Sequence, residues 1–254
     1  MDIPRNDFKR AIAEGRQQIG LWVTLPSGFT AELLATCGYD WLLFDTEHSV
    51  GDPMTVFEQL QAAAPYPASL VVRPASNDVV LIKRLLDAGA QTLLIPYVQN
   101  ANEAKAAVDA MRYAPRGVRG FAGLTRATRY GAVDDYATHA EKELCLLVQV
   151  ETKSALDEIE AIAAVDGVDG IFVGPADLSA SMGHSGNTGH PEVERAIEVA
   201  IERIRKAGKP AGILSLDKEF VRRCLDLGTV FTAVDVDASI LVRQAREIAR
   251  EFKG

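Results

Sequence analysis

The stretch that decides the fold is 169-DGIFVGPADLSASMG-183, in which an apolar strand runs directly into a helix. Its apolar residues 171–173 are followed by Gly174 and Pro175. Because proline has no N–H for a strand ladder, we expect the strand to end at Gly174. Asp177 comes just after that end. The stretch therefore predicts a carboxylate held immediately beyond a buried strand.

Similar apolar runs recur along the chain and alternate with helical patterns. They are 19-IGLWVT-24, 41-WLLFD-45, 69-SLVVR-73, 92-TLLIP-96, 144-LCLLVQVE-151, 211-AGILS-215 and 229-TVFTAVD-235. Continuous apolar strands are typical of parallel sheets covered on both faces. Eight strands, each followed by a helix and without a linker-like break, predict a single (β/α)₈ TIM barrel over residues 1–254. A doubly wound open sheet is the alternative, but its usual GxGxxG after the first strand is absent.

Composition argues against several classes of function. The chain has 254 residues and a net charge of −8, whereas nucleic-acid binders usually carry a basic face. No apolar run reaches the roughly 18 residues of a membrane span, and the N-terminus lacks the apolar segment of a signal peptide. Cys37, Cys145 and Cys224 have no metal-binding spacing, so we expect reduced core thiols and a cytoplasmic protein.

In a barrel of this kind, functional side chains lie where the strands end. The predicted strand ends carry Asp45, Glu47, His48, Arg73, Gln149, Glu151, Asp177, Leu214, Ser215, Asp235 and Asp237. Gln149 and Glu151 are two residues apart and therefore face the same side of their strand. Glu151 and Asp177 follow neighbouring strands, and paired carboxylates favour a hard cation such as Mg²⁺ or Mn²⁺.

Each of these residues also has an interpretation without catalysis. Glu151 could pair with Arg73 and simply close the barrel mouth. Arg73 could cap a loop, or it could grip a carboxylate or oxyanion through two N–H groups. His48 could be a helix-start histidine without chemistry. His139, His184 and His190 show no ligand pairing and are interpreted as surface residues.

At these positions the sequence resembles the HpcH/HpaI aldolases, the class II pyruvate aldolases that include 4-hydroxy-2-oxoheptanedioate and 2-keto-3-deoxy-L-rhamnonate aldolases. The resemblance runs from about Phe8 to the C-terminus. The matching motifs are 20-GLW-22, 32-ELLATCGYDWLLFDTEH-48, 72-VRP-74, 92-TLLIP-96, 147-LVQVET-152 and 174-GPADLSASMG-183.

The resemblance implies a barrel of the phosphoenolpyruvate/pyruvate type with specific site residues. Glu151 and Asp177 would bind a divalent metal (Mg²⁺, Mn²⁺ or Co²⁺). Arg73 would stabilise an enolate oxygen, and His48 would transfer protons, oriented by Asp87 and close to Asp45. The implied substrate-binding residues are Gln149, Gly174, Pro175, Ala176, Asp177 and Leu214, with the amides of Ala176 and Asp177 holding the substrate carboxylate.

The implied reaction is reversible cleavage of a 4-hydroxy-2-oxoacid, through a metal-stabilised enolate, into an aldehyde and pyruvate or hydroxypyruvate. A Schiff-base aldolase is disfavoured because Lys83, Lys153 and Lys218 fall in predicted helices. A non-catalytic ketoacid-binding barrel and a related metal-dependent lyase or decarboxylase remain alternatives. The resemblance also implies a homohexamer, a trimer of dimers, in which the last helix swaps onto a neighbour.

Three departures from the family pattern leave the aldehyde partner open. Thr46 replaces a glycine, the loop 119-RGFAGLTRATRY-130 carries Phe121, and Asp235 adds an acid that we expect near the barrel mouth.

Overall fold

The computed structural model describes residues 1–253, and within them parallel strands close into an eight-stranded barrel in chain order. The strands are β1 Gln18–Val23, β2 Trp41–Asp45, β3 Ser69–Arg73, β4 Thr92–Ile95, β5 Cys145–Val150, β6 Gly170–Val173, β7 Ala211–Leu214 and β8 Phe231–Val236. β8 pairs with β1 and completes the ring. The predicted (β/α)₈ barrel is therefore confirmed, and the open sheet is excluded.

Helices surround the barrel and connect its strands. They are α1 Asp7–Ala13, α2 Gly28–Ala35, α3 Pro53–Ala63, α4 Val79–Asp87, α5 Ala101–Met111, α6 Tyr136–Glu143, α7 Lys153–Asp157, α8 Ile159–Ala163, α9 Pro175–Ser181, α10 Pro191–Lys206, α11 Lys218–Asp226 and α12 Asp237–Lys253. The pattern over 153–165 predicts one helix, but Glu158 leaves the helical region with φ −97° and ψ 6° and separates α7 from α8. Lys83, Lys153 and Lys218 lie in α4, α7 and α11, in helices as the sequence predicts.

Large aromatic side chains fill the inside of the barrel. The Trp41 and Phe231 rings lie 6.4 Å apart between their centroids, and both are fully buried. Gly20 and Gly212 sit opposite them, and a Cβ atom at either glycine would come within 2.1 Å of the facing ring. These two strand glycines therefore make room for the aromatic interior, which a side chain at either position would disrupt.

Helix α1, which the sequence analysis did not predict, closes the lower end of the barrel. Asn6 caps it by accepting a hydrogen bond from the Lys9 N–H at 2.9 Å. Phe8 and Ile12 are 1% exposed, and Phe8 packs against Trp41 at 5.8 Å between ring centroids. The i, i+4 spacing of these apolar residues behind an Asn cap is the sequence signal for this helix.

The last helix, α12, is tied to the barrel at its start and exposed beyond it. The Asp237 carboxylate accepts hydrogen bonds from the backbone N–H groups of Thr24 and Leu25 at 2.9 and 3.0 Å. Further along, Leu241 is 59% exposed and Phe252 is 79% exposed. An apolar helical face in this position is a surface that other protein could cover.

The structure bears on two expectations drawn from composition. Residues 1–253 contain no helix of the length and apolar character needed to cross a membrane. Cys145 and Cys224 are buried, as expected for core thiols, whereas Cys37 is exposed at the end of α2, so the expectation was wrong for that residue.

Candidate active site

Arg73, at the end of β3, is fixed by the carboxylate at the end of β2. β2 and β3 pair with Asp45 opposite Arg73, so the two side chains meet at the carboxyl ends of adjacent strands. Nε and Nη2 of Arg73 donate to the two Asp45 oxygens at 2.8 and 2.6 Å. Asp45 also accepts from the Trp22 indole at 3.2 Å. Burial would raise the pKa of Asp45, but Arg73 outweighs it and holds the pKa below its ordinary range.

Glu47 is a second carboxylate on Arg73, and the sequence analysis gave it no role. Its Oε2 lies 2.5 Å from Nη1 of Arg73, an ionic contact that lacks hydrogen-bond alignment. Burial, together with repulsion from Asp45 and Asp177, raises the pKa of Glu47 despite the attraction of Arg73. Because one guanidinium serves both Asp45 and Glu47, the site carries more negative than positive charge. The signal for Glu47 was its position two residues after the strand-end aspartate Asp45.

Glu151 lies just past β5 and is bonded to neutral donors. Only 1% of it is exposed, and its Oε1 accepts a hydrogen bond from the Tyr97 N–H at 2.7 Å. Its Oε2 accepts from the side-chain amide of Gln149, two residues earlier on the same face of β5. Burial, with repulsion from Glu47 and Asp177, raises the pKa of Glu151 to about 7. Glu151 is therefore a buried acid for which residues 1–253 supply no cationic partner.

This contact pattern excludes one of the interpretations left open by the sequence. The ion pairs of Arg73 within the described chain go to Asp45 and Glu47, and Glu151 is not among its partners. Glu151 therefore does not close the barrel mouth by pairing with Arg73. Tyr97, whose backbone N–H holds Glu151, has a positive φ of 55° that nothing in its sequence indicates.

Gly174, at the end of β6, forms one wall of a cradle around Glu151. A Cβ atom at this position would lie 2.5 Å from Oε2 of Glu151 and 2.7 Å from Nε2 of Gln149. The absence of a side chain is thus what admits the carboxylate and the amide beside the strand end. Oε1 of Gln149 is buried and lacks a hydrogen-bond partner among the described residues, so an acceptor atom is also left free here.

Helix α9 begins directly after this glycine and brings in the remaining acid. Pro175 is its first residue, Ala176 is exposed, and Asp177 lies half-buried in the first turn. Repulsion from Asp177 adds to the effect of burial in raising the pKa of Glu47 and Glu151. Leu214, at the end of β7, is half-buried and packs against the apolar barrel interior.

These residues fit a divalent cation. Carboxylates from two neighbouring strand ends, an unpartnered amide oxygen and a net negative charge form the oxygen-only donor set that Mg²⁺ and Mn²⁺ prefer. Glu151 and Asp177 are the acids that Arg73 does not engage. They are therefore the residues that would hold the ion.

His48 and Asp87 are not brought together within one chain. His48 lies on the rim with 65% of its side chain exposed, and its Nε2 is 3.9 Å from a Glu47 oxygen. Asp87 ends α4, at the opposite end of its βα unit from the strand ends, and accepts a hydrogen bond from Nη2 of Arg119 at 2.8 Å. Asp45 was also expected near His48, but both of its carboxylate oxygens accept hydrogen bonds from Arg73. An Asp87 next to His48 would thus have to come from a second copy of the chain.

The three departures from the family pattern have defined places. Thr46 donates its hydroxyl to the Arg73 carbonyl at 2.7 Å, so it adds a bond between β2 and β3. Phe121 is 64% exposed and packs on Tyr113 at 5.6 Å between centroids. Asp235 lies near the end of β8, and Nη2 of Arg243 in α12 donates a hydrogen bond to it at 2.7 Å, so this acid is paired within the chain.

Comparison with known proteins agrees with this architecture. The family model of the HpcH/HpaI aldolase/citrate lyase family matches residues 18–244. The chain is 61% identical to a pyruvate aldolase of Rhizobium etli over 99% of both chains. It is 56% identical to a hydroxypyruvate/pyruvate aldolase of Pseudomonas aeruginosa, over 100% of this chain and 95% of that protein.

A solved structure gives the same result at the level of the fold. A family protein from Burkholderia cenocepacia superposes with a TM-score of 0.94 at 39% identity, over 98% of this chain and 100% of that one. The resemblance inferred from the strand-end motifs is therefore confirmed over nearly the whole length. This chain belongs to the HpcH/HpaI aldolase/citrate lyase family.

Proposed function

We propose that this protein is a divalent-metal-dependent aldolase that cleaves 4-hydroxy-2-oxoacids into an aldehyde and pyruvate or hydroxypyruvate. The observation that carries the proposal is that Glu151 is buried without a cationic partner among residues 1–253. It lies on the same rim as Asp177 and as the Arg73 guanidinium, which Asp45 fixes. Relatives named as pyruvate and hydroxypyruvate aldolases support the ketoacid half of the substrate. Mg²⁺, Mn²⁺ and Co²⁺ are the candidate ions.

Glu151 and Asp177 would hold the ion. When bound, it supplies Lewis-acid stabilisation of negative charge on the keto oxygen of the substrate. Burial of Glu151 strengthens such an interaction because little water is present to screen it.

Arg73 is the second source of positive charge for the same oxygen. A guanidinium has five N–H donors, and Asp45 and Glu47 engage three of its nitrogens through one contact each. One N–H on each terminal nitrogen therefore remains for a substrate oxygen. Since Asp45 fixes the fork in advance, Arg73 needs little reorganisation as charge develops during cleavage.

Cleavage breaks the bond between C3 and C4 of the substrate. The 4-hydroxyl loses its proton, C4 leaves as an aldehyde, and the electron pair spreads over C3, C2 and the keto oxygen as an enolate. We assign the proton to His48, whose exposed imidazole lies on the rim and belongs to the residue type most often used for general acid–base catalysis. Protonation of C3 then yields pyruvate.

The remaining substrate contacts follow from the mouth of the barrel. We assign the substrate carboxylate to the amides of Ala176 and Asp177 behind Gly174 and Pro175, where α9 has no side-chain cap. Gln149 would orient the pyruvyl group through its free Oε1. Leu214 would line the mouth beside the site.

We further propose that the protein assembles into a hexamer, in which α12 packs on a neighbour and Asp87 of another copy approaches His48. The exposed Leu241 and Phe252 on α12 support such packing. A cytoplasmic location is supported by the free thiols of Cys37, Cys145 and Cys224.

The test is the release of pyruvate from a 4-hydroxy-2-oxoacid after thorough removal of metal. We expect activity to vanish in EDTA and to return with Mg²⁺, Mn²⁺ or Co²⁺. Undiminished activity in chelator would overturn the proposed metal dependence. Binding of pyruvate without cleavage or exchange of its methyl protons would instead identify a non-catalytic ketoacid-binding barrel.

A further inference from the structure

Two histidines that the sequence analysis treated as unrelated surface residues meet in the loop after α9. The imidazole rings of His184 and His190 stack with their centroids 3.6 Å apart and their planes at 15°. Glu192 lies in the first turn of α10, and its Oε2 forms a hydrogen bond with Nε2 of His184 at 3.0 Å. One ligand atom from each of these three residues lies within 4.8 Å of the others.

The loop between α9 and α10 is shaped so that its two ends meet. Gly183 and Gly186 have positive φ values of 87° and 76°, which give tight turns. The His184 N–H bonds back to the Ser179 carbonyl at 2.8 Å, and the Asn187 N–H bonds to the His184 carbonyl at 2.9 Å. These backbone bonds hold His184 opposite the start of α10, so the histidine pair does not depend on side-chain stacking alone.

We propose that His184, His190 and Glu192 form a second metal site, specific for a Zn²⁺-class transition ion. Two imidazoles and one carboxylate are a common three-ligand set for zinc, with water completing a tetrahedron. Two nitrogens bound to one zinc at about 2.0–2.1 Å lie roughly 3.3 Å apart. The candidate ligand atoms here lie within 4.8 Å of one another, so binding would draw them together and turn the two stacked rings until their nitrogens point at the ion.

The donor set separates this site from the barrel mouth. The mouth offers carboxylate and amide oxygens, which suit Mg²⁺ and Mn²⁺, whereas imidazole nitrogens favour Zn²⁺, Co²⁺, Ni²⁺ and Cu²⁺. His184 has 24% of its side chain exposed and Glu192 has 71%, so an ion can enter from solvent. The two sites should therefore be distinguishable by the metal that each prefers.

Metal binding would remove one hydrogen bond at the start of α10. Nδ1 of His190 now accepts a hydrogen bond from the Glu192 N–H at 3.3 Å, a long capping bond. A metal on Nδ1 would use the lone pair that now accepts this hydrogen bond. A metal on Nε2 would require the proton to sit on Nδ1, which then could no longer accept. The three metal bonds would replace it and would tie the end of α9 to α10. Since α9 carries Asp177 in its first turn, the new site braces the helix that reaches the barrel mouth.

The experiment uses Co²⁺ as a spectroscopic probe and Zn²⁺ as its competitor, in the full-length protein. The substitution Glu151→Gln weakens the barrel-mouth site, and a parallel titration of the unmodified protein in excess Mg²⁺ saturates that site instead. Visible Co²⁺ absorption and calorimetry report on the remaining site. His184→Gln and His190→Asn each remove one imidazole, and asparagine preserves an N-cap oxygen for α10. His139→Gln is the matched control, outside the cluster.

We expect about one tightly bound Co²⁺ or Zn²⁺ per chain in both backgrounds. We expect the affinity to fall at least tenfold in His184→Gln and in His190→Asn, and to be unchanged in His139→Gln. Circular dichroism of each variant confirms that it is folded. Equal affinity in all the folded histidine variants, or the absence of a second bound ion in excess Mg²⁺, would overturn the proposal.

Discussion

The buried carboxylate of Glu151 should make the metal-free protein less stable as the pH rises. Burial is the main reason that its pKa lies near 7 instead of the ordinary 4.5. A group with a raised folded-state pKa contributes stability fully below its unfolded pKa, and this stability is lost as the pH rises through the folded value. For Glu151 the loss therefore occurs between about pH 4.5 and pH 7.

The size of the effect follows from the same values. A difference between about 7 and 4.5, at 1.36 kcal/mol per pKa unit, corresponds to about 3 kcal/mol. Glu151→Gln removes the charge but keeps the side-chain volume, and the Tyr97 N–H can still donate to its oxygen. The variant should therefore be more stable than the parent protein at pH 8 in chelator, by up to about 3 kcal/mol, and nearly equal to it at pH 4.5.

The assay is thermal unfolding across this pH range, in EDTA and in Mg²⁺ or Mn²⁺. For a chain of this size, 3 kcal/mol corresponds to a Tm difference of roughly 6–12 °C. Saturating metal should stabilise the parent protein at pH 8, by about 2.7 kcal/mol at a hundredfold excess over Kd, and should not stabilise Glu151→Gln. Glu202→Gln, an exposed position, is the control. A parent protein with the same pH profile as Glu151→Gln would refute the reasoning.

Other predictions concern the cradle, the lower end of the barrel and the guanidinium. Gly174→Ala should abolish most activity and cost about 1–3 kcal/mol of unfolding free energy from overpacking, whereas Gly189→Ala, with nothing within 4 Å of the new Cβ atom, should change neither. Burial raises the pKa of Glu143, but the Arg10 hydrogen bond outweighs it, so the net pKa is lowered. Glu143 therefore contributes stability above pH 4.5, and its advantage over Glu143→Gln, about 1.5–3 kcal/mol in denaturant unfolding, should disappear as acid protonates it. Arg73→Lys should lower kcat by about 10²-fold or more, with a smaller change in KM, because a lysine cannot reproduce the fixed fork; a kcat within a few-fold of the parent would remove Arg73 from charge stabilisation.

Much of the fold followed from local patterns in the sequence. Continuous apolar runs that end in polar residues predicted both the closed barrel and the acids on its rim, because parallel strands all deliver their carboxyl ends to one face. The positions of Glu151 and Asp177 needed no more than this. Helix α1 was missed because it lies outside the strand–helix repeat, although Phe8 and Ile12 carry a helical spacing.

Which side chains of the site pair with one another was harder to predict, because this depends on strand register and on segments distant in the sequence. Arg73 could have paired with Glu151 or with Asp45, and the register of β2 against β3 selects Asp45. The Tyr97 N–H that donates to Glu151 belongs to a residue with a positive φ, which the sequence does not signal. The stack of His184 on His190 likewise depends on the turns of one loop.

Asp87 shows the limit of an inference drawn from resemblance alone. The helix of a βα unit runs back from the strand ends, so the last residue of α4 lies far from the rim on which His48 sits. Within the chain, Asp87 instead accepts a hydrogen bond from Arg119. The role implied for this aspartate requires contacts between copies, which a single sequence does not encode locally.

The central claim is that Glu151 and Asp177 share one divalent cation at the mouth of the barrel. It is tested most directly by anomalous X-ray diffraction from crystals of the protein grown with Mn²⁺ and pyruvate. We predict an anomalous peak bonded to carboxylate oxygens of both residues, at distances usual for Mn²⁺. Ordered, fully occupied pyruvate without such a peak, or a manganese ion bound elsewhere while Glu151 keeps only the Gln149 and Tyr97 contacts, would contradict the claim.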